Sequence, residues 1–108
     1  MILDPITQNA LLLQGWLALQ YGQLARSQIL LEALLKMAPD DYQARKMLVV
    51  VLLKLDLPEQ ALVHCTRLRK ADINEAELWL CESQAYLMME QLEKAQRAYQ
   101  NYLLWKSK

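Results

Sequence analysis

Trp79-Leu-Cys-Glu-Ser83-Gln-Ala-Tyr86, followed by Ala95-Gln-Arg-Ala-Tyr99, is the stretch whose reading decides the fold. An aromatic, a small residue and a second aromatic lie at helical spacing, and twelve residues after Ser83 another small residue, Ala95, opens a new helix-spaced pair with Tyr99. The same frame returns every 34 residues, with small residues at Ser27, Ala61 and Ala95. A larger side chain follows each by four positions, at Leu31, Cys65 and Tyr99, and a compact or β-branched one precedes each by twelve, at Gly15, Val49 and Ser83. Two antiparallel helices need this alternation, because the bulk of one must find room on the other where they cross. Gly15, Ser83, Ala61 and Ala95 supply the room, and Trp79, Tyr86, Tyr99 and Leu31 are expected to fill the volume within and between pairs. The chain therefore reads as all-α, built from three tandem helical hairpins.

The third copy reproduces most of the W-x2-L-G-x2-Y … A-x3-F pattern, through Trp79, Ser83, Tyr86, Ala95 and Tyr99, and so resembles a tetratricopeptide (TPR) protein. The first copy keeps Gly15, the Tyr21-Gly22 turn, Leu24, Leu31 and a closing Pro39, with Leu11 and Ala18 where the family favours aromatics. In the second, Arg45, Val49 and Cys65 hold motif positions and Ile73 stands where a proline would close the unit. The resemblance implies a short right-handed solenoid occupying 1–108 as one domain, with repeats at about 6–39, 42–72 and 75–105. Helices are expected over 6–20, 24–37, 42–54, 59–70, 75–89 and 92–105. Gly22 ends the first, Pro39 stops the second, and Pro58 suits the opening turn of the fourth. Asp41 and Asn74 are the expected N-caps, Asn74 paired with Glu77 in a capping box.

Composition sets bounds on function. The chain has 108 residues, 55% of them apolar, and twelve basic residues balance twelve acidic ones, so no field of one sign draws in nucleic acid. The longest apolar run, Met47 to Leu53, is far below the roughly 18 residues of a membrane span, and the opening Met1-Ile2-Leu3-Asp4-Pro5 has no secretory-signal pattern. Membrane insertion is not expected, and a cytoplasmic location is. Cys65 and Cys81 form neither a disulfide framework nor a metal-binding pair. No cofactor or metal is expected.

Catalytic groups are scarce as well. The one histidine, His64, neighbours Cys65, but adjacent helical residues diverge by about 100° and cannot form a nucleophile–base pair. Cys65 reads as a buried packing thiol, Arg67-Arg69-Lys70 as a solvated helix end offsetting its dipole, and Asp40-Asp41 and Glu75-Glu77 as helix-start acids. An enzyme is not expected. What stands out instead is apolar surface. In TPR folds the first helix of each pair lines the concave face. After packing positions are removed, that face carries Leu12, Trp16 and Leu19, then Met47, Val50 and Leu53, then Leu80, Gln84 and Leu87. Leu12 and Trp16 stand where clamps for charged heat-shock-protein tails would carry cations, and Lys46 and Lys54 are too few to replace them, so the groove should prefer apolar or amphipathic segments. A protein partner is the expected cover; the chain's own N-terminal segment, or a second copy in a client-free homodimer, is the alternative.

Longer segments carry a sharper resemblance. Asn9-Ala-Leu-Leu-Leu-Gln-Gly-Trp-Leu-Ala-Leu-Gln-Tyr-Gly22, Ile29-Leu-Leu-Glu-Ala-Leu-Leu35, Trp79-Leu-Cys81 and Ala95-Gln-Arg-Ala-Tyr-Gln-Asn-Tyr-Leu103 are similar to the YscY (SctY) family of type III secretion chaperones. That resemblance implies a cytoplasmic chaperone that binds a secreted YscX-type (SctX) partner, keeps it soluble and export-competent, and with it docks on the export-gate (SctV) protein. The related needle-subunit co-chaperone (YscG-type) is the alternative within the same class of proteins.

Overall fold

The computed structural model describes residues 4–107 and places six helices among them: α1 Pro5–Gln20, α2 Leu24–Met37, α3 Tyr42–Lys54, α4 Pro58–Lys70, α5 Ala76–Met88 and α6 Leu92–Lys106. Every expected helix is present, with ends within a residue or so of the expected positions. Helices pair as α1/α2, α3/α4 and α5/α6, and α2 on α3 and α4 on α5 join the pairs into a short right-handed solenoid 42 Å long. The first helices of the pairs also touch one another, α1 on α3 and α3 on α5, so they line a common face.

The hairpin turns share one mechanism. The residue two beyond each first helix adopts the left-handed conformation, with φ of 75° at Gly22, 62° at Asp56 and 61° at Glu90. The main chain then closes identically: Gln23 N donates to Ala18 O and Gly22 N to Leu19 O, and the same two bonds recur from Leu57 and Asp56 and from Gln91 and Glu90. Asp72, after α4, repeats the device between the second and third hairpins. Glycine marks only the first of these stops; aspartate tolerates the left-handed region through its short polar side chain, and Glu90 has no such compensation.

Starts follow side-chain caps where these exist. Asp41 accepts from Ala44 N at 3.0 Å, as expected. Asp4 accepts from Thr7 N at 2.8 Å ahead of Pro5, a cap the sequence reading passed over, and that bond holds its carboxyl below the usual range. Asn74 does not cap α5. Glu75 occupies the N-cap position without a side-chain cap bond, so the expected capping box does not form, and the Glu75 carboxylate meets Lys46 Nζ of α3 at 2.9 Å in an inter-repeat ion pair.

The core runs along the inside of the hairpins, through Leu31, Leu34, Leu48, Val49, Val51, Leu52, Cys65 and Leu68. Gly15 is where α1 and α2 come closest: a Cβ there would lie 2.8 Å from Leu31 Cδ2, and Leu31 is 0% exposed. Ser27 Oγ donates to Gly15 O across the same crossing at 2.8 Å. In the third hairpin the bond is reversed, Ser83 Oγ of α5 donating to Ala95 O of α6 at 2.9 Å. Tyr99 departs from expectation. It is 45% exposed rather than filling inter-helix volume, and its ring lies 5.7 Å from that of Tyr102 on the same helix.

Candidate partner-binding groove

Helix α3 carries the apolar run Met47-Leu-Val-Val-Val-Leu-Leu53, and the fold covers most of it: Leu48, Val49, Val51 and Leu52 are fully buried against α2, α4 and α5. Met47, Val50 and Leu53 remain half-buried, on the face towards α1 and α5. The exposed remainder is therefore a narrower stripe than the sequence alone suggests, because neighbouring hairpins enclose α3 from both sides.

That stripe opens into a cavity of about 370 Å³ between α3 and α5, lined by Val50, Leu53 and Lys54 from one helix and Cys81, Gln84, Leu87 and Met88 from the other. Four of the nine expected groove residues, Val50, Leu53, Gln84 and Leu87, thus share one concavity. Leu87 is the most open of them at 58% exposed. A smaller apolar pocket lies beside it, under Val49, Val50, Leu78 and Cys81 and rimmed by Lys46 and Glu75. The remaining five do not line the cavity. Leu12, Leu19 and Met47 pack partly on the core, Leu80 is half-buried on α5, and Trp16 stands 44% exposed on α1.

Sequence reasoning counted Lys54 as a groove cation without including it in the binding set, and missed Cys81 and Met88 as lining residues. All lie on the first helices and within one turn of an expected groove residue, which is the signal that could have found them. The cavity is apolar with one cation at its edge, so it suits a guest segment with aliphatic side chains and an acidic or polar flank. Burial pushes the Cys81 thiol up, and the Cys65 thiol further, so neither carries a thiolate at neutral pH. Among the described residues no cluster of three or more His, Cys, Asp or Glu could hold a metal, and no helix is long and apolar enough to cross a membrane.

Two side chains of the second hairpin behave differently from the sequence reading. His64 turns to α3, where Arg45 Nη1 donates to its Nδ1 at 2.8 Å while Nη2 reaches Pro39 O at 3.1 Å. Arg69 does not simply end α4 in solvent. Its guanidinium lies 4.7 Å above the Trp79 ring and pairs with the buried carboxylate of Glu82.

No protein-family model matches the chain. Chaperone protein YscY of Yersinia enterocolitica is 42% identical over 96 residues, which span 89% of this chain and 84% of that protein, and YscY of Yersinia pestis matches to the same extent. Among solved structures, MamA 41-end from Desulfovibrio magneticus RS-1 superposes with a TM-score of 0.84 at 26% identity over 89% of this chain. The MamA RS-1 ArsTM double mutant gives 0.84 at 25% identity over 93%. The chain spans 54% and 56% of those two MamA chains. Three stacked TPR-like hairpins and extended identity to YscY agree with the residues that first carried the resemblance: the chain belongs to the YscY family of type III secretion chaperones.

Proposed function

We propose that the α3/α5 cavity holds an amphipathic segment of a secreted YscX-type protein in the bacterial cytoplasm, keeping it soluble and export-competent before the pair docks on the SctV-type export gate. The observation that carries this reading is the open apolar concavity of Val50, Leu53, Cys81, Leu87 and Met88 on a chaperone-family chain. Fully burying a side chain such as Leu87 contributes about 1.5–3 kcal/mol, so a guest that covers several of these residues outweighs its own ordering cost. Binding and release then need no nucleotide, and the groove acts by covering surface rather than by chemistry.

Val50→Asp tests this in co-expression with the YscX-type partner. The half-buried carboxylate would face the guest's apolar side, so co-purification should drop at least tenfold while the circular-dichroism helix signal stays near that of the parent chain. Intact complex with the variant would overturn the groove. Recovery of a needle subunit instead of the YscX-type protein would move the client to the YscG-type alternative. A stable homodimer by light scattering, unchanged when the partner is added, would favour a client-free scaffold.

A further inference from the structure

Helices α4 and α6 do not touch each other in the described chain, and α5 lies beneath both. The result is a second trough, on the opposite face of α5 from the apolar cavity. It encloses about 250 Å³ between Arg69 of α4, Trp79 and Glu82 of α5, and Lys94, Arg97 and Asn101 of α6. Glu82 stands where the W-x2-L-G pattern carries leucine and is 1% exposed. Arg69 occupies one of its oxygens, but Oε2 has no hydrogen-bond partner, and neither has the buried indole Nε1 of Trp79. Buried polar groups are almost always paired, so two unpaired ones, sealed from solvent on side chains that line the same trough, point to a partner there.

The chemistry of the trough narrows the guest. Three cations face one carboxylate, with Lys94 Nζ held 5.7 Å from the Tyr86 ring and Arg97 only loosely engaged by the exposed Glu93 at 3.8 Å. An anion is favoured, yet Glu82 Oε2 needs a donor. A phosphodiester brings acceptors only and would press against Glu82, whereas a polypeptide carrying Asp or Glu brings a carboxylate together with main-chain N–H groups.

We infer that the α4/α6 trough docks an acidic segment of a protein partner, whose carboxylate meets Lys94 and Arg97 and whose main chain lies over Trp79 and Glu82. A chain bound this way leaves the apolar cavity free, so one chaperone engages two polypeptide segments on opposite faces. The inference stands independently of the groove's client.

The indole signals in proton–nitrogen NMR spectra of the full chain test it, with the Trp79 signal assigned through Trp79→Phe and those of Trp16 and Trp105 as references. A capped tetraglutamate peptide should shift the Trp79 indole saturably, and a capped tetraglutamine peptide should not. Lys94→Gln and Arg97→Gln, both at exposed positions, should each weaken the tetraglutamate affinity about two- to fivefold. Val50→Asp should leave the affinity unchanged, which separates this surface from the apolar cavity. A stationary Trp79 signal, an equal response to tetraglutamine, or an equal affinity for inorganic phosphate or an oligothymidylate would overturn the proposal.

Discussion

The first and third hairpins close around the same geometry with opposite chemistry. At both crossings a serine hydroxyl donates to a carbonyl twelve residues away, from α2 to α1 at Ser27 and from α5 to α6 at Ser83. The residues around the bond differ. In the first hairpin Gly15 lets Leu31 press into α1, and Leu31 is wholly buried by α3 packing on α2; in the third the corresponding Tyr99 is left 45% exposed, beside the Tyr102 ring of its own helix. A repeat position is thus structural only where a neighbouring hairpin covers it. Identity at the motif level does not by itself measure energy.

The largest expected contrast comes from truncating those equivalent side chains. Leu31→Ala should cost about 2–5 kcal/mol, because a side chain enclosed on all sides leaves a cavity, while Tyr99→Ala should cost less than about 1 kcal/mol. Urea unfolding followed by far-ultraviolet circular dichroism measures both. Similar losses at the two positions would mean that Tyr99 is covered in solution, and the coverage argument would then fail.

The turns give a second, smaller contrast. Gly22, Asp56 and Glu90 hold the same left-handed position in the three hairpins. Gly22→Ala adds a Cβ that meets open space, so its cost of about 1 kcal/mol comes from backbone strain alone. Glu90→Gly removes such strain and should stabilise by about 0.5 kcal/mol after glycine's own entropic cost. Thermal melts of the two variants should move in opposite directions. A loss on Glu90→Gly would show that the glutamate side chain supports its turn.

These pairs also mark how far the sequence could be read. The 34-residue frame and its small and large positions place every helix, since crossing geometry demands a gap opposite each bulky residue. Gly22 advertises its turn; Asp56 and Glu90 adopt the same conformation without the residue that signals it, so their stops were visible only through the repeat spacing. For the groove, the wheel of each first helix identifies the face but not which residues converge. Convergence depends on how far apart α1, α3 and α5 splay, and that is set by tertiary packing. Val50, Leu53, Gln84 and Leu87 meet, while Leu12 and Leu19 settle partly onto the core. Glu82 was hidden for the opposite reason: a charged residue at a leucine position is a local exception, and its partner Arg69 lies on a different helix thirteen residues earlier.

The middle hairpin has neither serine at its crossing, only Val49 and Ala61, and it is tied across α3 and α4 by Arg45 and His64 instead. Arginine keeps its proton and only donates, so His64 Nδ1 must accept and its proton sits on Nε2: the imidazole is neutral in the folded chain. Burial, then Arg45 and Arg67, lower its pKa below the ordinary 6.5. Below 6.5 the unfolded chain takes up a proton that the folded chain refuses, so stability is present in full above 6.5 and drains away as pH falls through the depressed value. In the third hairpin Glu82 works with the opposite sign. Burial raises its carboxyl above 4.5, opposed by Arg69, so its contribution is greatest below 4.5 and is lost as pH rises through the raised value. Urea midpoints measured from pH 7.5 down to 5.5 should therefore fall in the parent chain and fall less in His64→Gln, while Glu82→Gln should remove the gain that the parent chain shows as pH is lowered further towards 4.5. Equal slopes in the parent and His64→Gln would mean that His64 is protonated in the folded chain and that Arg45 does not donate to it.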